Sequence, residues 1–181
     1  MNRKNIAFYA QSLDGYIAGK DGNLDWLNEI PNPDHIDTGF FSLMEEIDAI
    51  VMGRNTFEVV CGFGGPWPYP KPVFVLSNSM TEIPKDFQQY AQLLKGNPTD
   101  VLTSLNEEGL FKLYIDGGRT VHNFLEAGLM DELRISYIPI LLGEGIPMFN
   151  KLSRPIRLEL LESKVFLGQL VQNHYRVRNE E

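Results

Sequence analysis

Two segments of the chain have the residue types and spacing that bind phosphate groups. Each runs from an apolar stretch into a glycine turn and a predicted helix start, in Met52-Gly53-Arg54-Asn55-Thr56 and Ile115-Asp116-Gly117-Gly118-Arg119-Thr120-Val121. Glycine lets the backbone approach a ligand closely, and a helix start offers free N–H groups at the positive end of its dipole. Each arginine adds charge-assisted donors. The pattern predicts a site for a phosphate or a pyrophosphate.

A third segment, Leu76-Ser77-Asn78-Ser79, ends another predicted strand with short hydroxyl and amide side chains. Neither glycine segment satisfies the Rossmann or P-loop pattern. A strand-to-helix connection can also use glycine simply to turn. A purely structural role for the glycines therefore stays open beside the binding role.

Acidic and aromatic residues near these turns are candidates for contact with a substrate. Asp116 ends a buried strand and is predicted to face a ligand crevice, with helix capping as the alternative. Asp14 lies in the loop after the first strand, where a turn-forming Asp-Gly pair is the alternative. Trp26 either caps the core or lines a pocket. The three histidines and the single cysteine, Cys61, have no metal-ligand spacing, so no metal site is predicted.

Alternating strands and helices must position these residues. Short apolar runs predict strands at residues 6–10, 49–52, 73–76, 113–115 and 132–138, and we also favour a strand over a short helix at 90–94. Helical spacing and capping residues, among them Asp37-Thr38 and Asn97-Pro98, predict helices around residues 40–47, 56–61, 98–109 and 118–128. Runs near 158–166 and 170–177 flank Leu167-Gly168 and predict a closing hairpin.

This order predicts an α/β fold with a single domain over residues 1–181. Its three layers are a mixed, mostly parallel sheet with helices on both faces, and the sheet closes with a C-terminal antiparallel hairpin. In open α/β sheets, ligands bind beyond the carboxyl ends of the strands. The two glycine turns, Ser77 and Asp116 all follow such ends.

Charge and composition exclude several functional classes. The chain has 181 residues, with 16 Lys and Arg against 24 Asp and Glu, a formal charge of −8. A field of that sign repels nucleic acid and anionic membranes. No apolar stretch approaches the roughly 18–20 residues of a membrane span, and one cysteine is typical of a reducing compartment. We expect a cytoplasmic protein that acts on a small molecule, without nucleic-acid or membrane partners.

The motifs resemble those of two related reductase families. The segment from Met52 to Glu58 is similar to the turn with which dihydrofolate reductases hold NADPH, and Asp116 to Val121 is similar to their second glycine turn. Gly22-Asn23-Leu24-Asp25-Trp26 lies where their flexible loop ends in tryptophan. The reductase domain of riboflavin biosynthesis resembles the chain more closely, through Ser12-Leu13-Asp14-Gly15, Asp116-Gly117-Gly118 and residues 124–133 and 139–149.

The resemblance implies a dihydrofolate-reductase-like fold and hydride transfer from NADPH to a small heterocycle or sugar-derived carbonyl, such as 5-amino-6-(5-phosphoribosylamino)uracil. By resemblance, Asp14 and Asp116 are the catalytic candidates, and the substrate candidates are Ser12, Trp26 and Glu29. The residues it implies for the cofactor are Ala10, Ile17 and Ala18 at the nicotinamide, Gly53, Arg54, Asn55 and Thr56 at the phosphates, Ser77 and Asn78 near the 2′-phosphate, and Gly117, Gly118, Arg119, Thr120 and Val121 at the diphosphate.

The chain also departs from these families. Dihydrofolate reductases have an acid five residues after the loop tryptophan, and that position is Pro31 here, with Glu29 and Asp34 as the nearby acids. The arginine-rich substrate-phosphate segment of the riboflavin enzymes is absent from residues 56–72. Two alternatives therefore stay open, a nucleotide-binding module without turnover and a dihydrofolate reductase with a relocated acid. A homodimer is also expected, through the apolar side chains of residues 139–149.

Overall fold

The computed structural model describes residues 3–178. In this range the chain forms ten strands and four α-helices. The strands are β1 (Lys4–Ser12), β2 (Tyr16–Ala18), β3 (Ala49–Gly53), β4 (Val73–Leu76), β5 (Ala91–Leu94), β6 (Lys112–Asp116), β7 (Glu132–Ile138), β8 (Ile146–Pro147), β9 (Arg157–Phe166) and β10 (Leu170–Arg178). The helices are α1 (Phe40–Glu46), α2 (Arg54–Gly62), α3 (Pro98–Glu107) and α4 (Gly118–Glu126).

Eight of the strands form one sheet in the order β5-β4-β3-β6-β1-β7-β10-β9. Neighbouring strands are parallel from β5 to β7. Strand β10 is antiparallel to both β7 and β9. The predicted mixed sheet with a closing hairpin is thus confirmed. Strands β2 and β8 form a separate ribbon.

Both faces of the sheet are covered by helices, because the central strands are apolar on both sides. On β3, Ala49 and Val51 pack in a cluster with residues of α3 and α4. The alternate residues Ile50 and Met52 pack in a second cluster with residues of α1 and α2. This explains why the strand is a continuous apolar run rather than an alternating one.

Capping residues fix where two of the helices begin. The Asp37 carboxylate accepts hydrogen bonds from the backbone N–H groups of Gly39, Phe41 and Ser42, at the start of α1. The Asn97 side chain accepts from the N–H of Asp100, and Pro98 opens α3. The predicted cap at Asn97-Pro98 is confirmed, whereas the N-cap residue of α1 is Gly39 and Asp37 caps the helix from two residues earlier.

The segment of residues 139–149 differs from its predicted form, an irregular exposed stretch. It contains β8, and Met148 donates its backbone N–H to the Gly15 carbonyl. The Met148 side chain is buried in the first core cluster, so its assignment to an exposed dimer surface is wrong. Leu141 and Phe149 of this segment are exposed, and the edge strand β9 exposes a longer apolar row that includes Leu160.

Candidate active site

A cleft of about 900 Å³ opens at the carboxyl ends of the parallel strands. Its walls include the turns after β3, β4 and β6, which are neighbours in the sheet. The register pairs Met52 with Asp116 and Gly53 with Leu76, so the three turns lie level with one another. Parallel strands therefore bring together segments that are far apart in the sequence, and two of the turns lead directly into helix N-termini.

The two glycine turns contact each other through threonines. A Cβ atom added at Gly53 would lie 2.7 Å from the Thr120 Oγ1, and one added at Gly117 would overlap the Thr56 Oγ1. Each turn thus receives the threonine of the opposite helix. Gly117 also has a φ of +90°, which strongly favours glycine. The glycines at these two positions have the structural role that the sequence left open, and they hold the starts of α2 and α4 side by side.

Gly118 has different surroundings. A Cβ atom there would meet the Cδ1 atom of Ile17 at 3.1 Å, the Met148 carbonyl oxygen at 3.6 Å and the Met148 sulfur at 3.8 Å. Ile17 is a flexible side chain that can move by the few tenths of an ångström required. Gly118 therefore lines the cleft close to Ile17 and Met148, and its φ does not require glycine for the backbone to turn.

Every residue that the sequence analysis assigned to the cofactor lines this one cleft. They are Ala10, Ile17, Ala18, Gly53, Arg54, Asn55, Thr56, Ser77, Asn78, Gly117, Gly118, Arg119, Thr120 and Val121. Arg54 gives its Nε–H to Glu58 at 2.7 Å, four residues further along α2. The bond fixes the guanidinium near the mouth of the cleft, where about half of the side chain is exposed.

Asp116 lies in the same cleft and has the properties of a proton-holding group. Burial raises the pKa of its carboxyl to about 6, although the Gly117 N–H donates a hydrogen bond to it at 2.8 Å. The Tyr69 and Tyr114 hydroxyls also interact with the carboxyl and oppose the rise. Tyr114 gives its only hydroxyl proton to the Phe8 carbonyl oxygen at 2.8 Å. Tyr69 is therefore the hydroxyl that can donate to Asp116.

Aromatic packing positions Tyr69, which the sequence analysis missed. Its ring centroid lies 5.6 Å from that of Trp67, which in turn stacks on Tyr90 at 5.2 Å. The only local signal was an aromatic pair among prolines, in Trp67-Pro68-Tyr69-Pro70. Nothing in that pattern indicates which strand end the loop approaches.

Asp14 was the second catalytic candidate and Ser12 a substrate candidate, but neither residue lines the cleft. Ser12 donates its hydroxyl to Asp14 at 2.6 Å, and Asp14 accepts the backbone N–H groups of Leu142 and Gly143 at 3.2 and 2.8 Å. These bonds, the one from Ser12 first, lower the pKa of the Asp14 carboxyl. The pair anchors the segment of residues 139–149 to the end of β1.

Trp26 and Glu29 also lie apart from the cleft lining. Trp26 is buried in a third apolar cluster with Ile138 and Leu170, in agreement with its core-capping alternative. Glu29 is exposed, as are Pro31 and Asp34. The neighbours Leu24 and Leu27 line the cleft instead, and Phe8 joins them from β1.

Comparison with known proteins assigns the chain to a family. A family model, the RibD C-terminal domain, matches residues 3–63 and 68–171. The uncharacterized protein YwjB of Bacillus subtilis (strain 168) is 34% identical over 178 residues, which are 97% of this chain and 98% of YwjB. The chain belongs to the RibD C-terminal domain family.

Solved structures place the family member in a wider fold group. The crystal structure of a putative riboflavin biosynthesis protein from Shewanella sp. PV-4 is 49% identical, covers 97% of this chain and 99% of that one, and has a TM-score of 0.95. Dihydrofolate reductase from Enterococcus faecalis, at 19% identity, covers 97% of both chains with a TM-score of 0.66. The fold is dihydrofolate-reductase-like, as the resemblance implied.

Two further features of this family member concern metals and membranes. Within residues 3–178, His, Cys, Asp and Glu side chains do not gather in any group of three that could hold a metal ion. In the same range, every helix is too short or too polar to cross a bilayer.

Proposed function

We propose that this protein is an NADPH-dependent reductase that transfers a hydride to a C=O or C=N group of a small molecule. One observation carries the proposal. Two helix starts and a serine-rich turn meet at adjacent strand ends, in the same cleft as a carboxyl whose pKa is raised to about 6. Relatives of the same fold that are named as reductases support an oxidoreductase.

The residues present fit a dinucleotide phosphate. The N–H groups at the starts of α2 and α4 are available for a diphosphate, and Gly118 leaves the backbone approachable. Arg54, Ser77 and Asn78 would hold the additional 2′-phosphate, while Ala10, Ile17 and Ala18 would contact the nicotinamide. When bound, NADPH supplies the hydride.

The chain's own contribution to proton transfer centres on Asp116. A carboxyl with a pKa of about 6 is protonated in roughly a tenth of the molecules at pH 7, so it can release and regain a proton near neutral pH. Tyr69 orients this carboxyl from the proline-rich loop. Asp14 is ionised and fully engaged by the loop that it anchors, so we assign the proton to Asp116 rather than to Asp14.

Two other candidate functions receive less support. A binding module without turnover would need no titratable carboxyl in its cleft, and Asp116 is one. A dihydrofolate reductase with a relocated acid would need Glu29 or Asp34 beside the substrate, and both are exposed and do not line the cleft. Reduction of 5-amino-6-(5-phosphoribosylamino)uracil is the reaction named for a structural relative from Thermotoga maritima. This chain is 17% identical to that relative and covers 57% of its length, so the likeness supports the shared fold and not that substrate.

The test is a turnover screen that follows the absorbance of reduced nicotinamide, with purified protein, NADPH and a panel of small carbonyl and imine compounds. We expect a substrate whose kcat falls as pH rises through about 6. Asp116→Asn should lower kcat by about 10²-fold or more and abolish this pH dependence. The matched control is Asp86→Asn, which changes an exposed acid outside the cleft lining. Turnover unaffected by Asp116→Asn would contradict the assignment, and oxidation of NADPH by no compound would favour the binding module.

A further inference from the structure

Apolar and aromatic residues line the cleft together with Asp116. We define the apolar end by six cleft-lining residues, Phe8, Leu27, Val59, Phe63, Tyr69 and Tyr114. Tyr114 on β6 belongs to the core cluster on the α1 and α2 face of the sheet. Phe8 on β1 and Tyr69 on the loop after α2 pack against the same cluster. Phe63 is 63% exposed and Val59 is 45% exposed, so the apolar wall continues to the mouth of the cleft.

The positive charges of the lining belong to residues at the two helix starts. Among the residues of 3–178 that line it, the only cations are Arg54 and Arg119, and no lysine or histidine takes part. Each of these arginines lies at one of the two helix starts that we assign to the phosphates of NADPH. Among the same described lining residues Asp116 is the only carboxyl, and the apolar end itself contains no cation that could pair with an anionic ligand.

The helix that begins on this face does not supply an anion site either. The first N–H groups of α1 already donate to the Asp37 carboxylate. A phosphate monoester at the apolar end would therefore lose hydration without gaining a charged partner, in a protein whose formal charge is −8.

We propose, on the basis of the proposed reductase function, that the substrate is an uncharged carbonyl or imine compound with an apolar, ring-sized body and no phosphate group. Its single polar edge meets Asp116 and Tyr69, and its body contacts the apolar end. In the reaction the carbon of the C=O or C=N group gains the hydride, its heteroatom gains a proton, and the nicotinamide is oxidised to NADP⁺. This substrate class differs from the phosphoribosyl compound named for the Thermotoga maritima relative.

The experiment compares matched probes that differ only in a phosphate group. Protein saturated with NADP⁺ is titrated by calorimetry with riboflavin and riboflavin 5′-phosphate, and with uridine and uridine 5′-monophosphate. We expect at least one uncharged probe to bind, and to bind about tenfold or more tightly than its phosphate ester, which corresponds to about 1.4 kcal/mol. Tighter binding of the phosphate esters, or binding of no uncharged probe, would overturn the proposal.

A variant with an added cation tests whether the probe binds at the apolar end. Phe63→Arg places a cation at the exposed rim of the apolar end and should strengthen binding of the phosphorylated probe about fivefold, the upper range for an exposed ion pair. Phe41→Arg is the matched control, because Phe41 is 66% exposed on α1 but does not line the cleft. Equal effects of the two variants would count against a substrate position at Phe63. NADPH titration of the same samples distinguishes a failure of the reductase function from a failure of the substrate class. Absence of NADPH binding would contradict the reductase function. NADPH binding together with tighter binding of the phosphorylated probes would contradict only the substrate class.

Discussion

The contact between the two glycine turns predicts a strong energetic coupling between Gly53 and Thr120. An alanine Cβ at position 53 would lie 2.7 Å from the Thr120 Oγ1, whereas an ordinary carbon–oxygen contact is about 3.4 Å. The Thr120 side chain or the first turn of α4 must then shift by about 0.7 Å, an overpacking that typically costs about 1–3 kcal/mol. Gly53 has a φ of −75°, so no backbone strain adds to this effect. Gly53→Ala should therefore lower the free energy of unfolding by that amount.

A double-mutant cycle isolates the contact. Thr120→Ala removes the obstructing oxygen, so Gly53→Ala should cost about 1–2 kcal/mol less in the Thr120→Ala background than in the wild type. Urea unfolding gives the four free energies, and NADPH titration shows whether displaced helix starts weaken the cofactor. Gly62→Ala is the control, since a Cβ there meets no atom within 4 Å and the residue lies at the end of α2. Additivity within about 0.5 kcal/mol would refute the contact as described.

The remaining predictions concern cofactor choice, pH and assembly. NADPH should bind roughly 10–150-fold more tightly than NADH, because Arg54, Ser77 and Asn78 reach the additional phosphate, and equal dissociation constants would contradict that role. Burial alone would raise the pKa of Glu132, but hydrogen bonds from His174 and Lys4 outweigh it and lower the pKa to about 2. The stability that this carboxylate contributes is thus complete above its unfolded pKa of about 4.5 and is lost as pH falls through 2. Glu132→Gln should therefore lower the free energy of unfolding by about 2–3 kcal/mol at pH 7 and by much less at pH 2, measured by urea unfolding. We also expect a homodimer, now through the exposed apolar row of β9 rather than through Met148. Leu160→Lys should yield a monomer by light scattering, whereas an unchanged mass would place the interface elsewhere.

Local sequence signals predicted the fold, and they predicted which strand ends line one cleft. Buried strands such as β3 have apolar runs that stand out in any window, and parallel pairing then determines that Gly53, Ser77 and Asp116 share one edge of the sheet. That inference needs only strand order and direction. The packing role of Gly53 and Gly117 could not be predicted in the same way. Each glycine contacts a threonine more than 60 residues away in the sequence.

The substrate half was harder to predict because its residues come from loops. Asp14 lies just after β1 and Asp116 is the last residue of β6, so both acids lie at strand ends in the sequence. Their difference arises from tertiary contacts, since the backbone of residues 142–143 engages Asp14 while burial acts on Asp116. Tyr69 enters the cleft only because Trp67 and its aromatic neighbours fix the proline-rich loop against the domain core.

Equilibrium titration of NADPH against the wild type and Gly118→Val tests the central claim most directly. Gly118 lines the cleft, and within 3.4 Å its added Cβ would meet only the movable end of Ile17, so the variant should still fold, which far-UV circular dichroism checks. We expect saturable binding of one NADPH per chain in the wild type and a loss of about 100-fold or more in the variant, equivalent to about 2.7 kcal/mol. Failure of the wild type to bind NADPH, or equal binding by a correctly folded Gly118→Val, would contradict the assignment of this cleft.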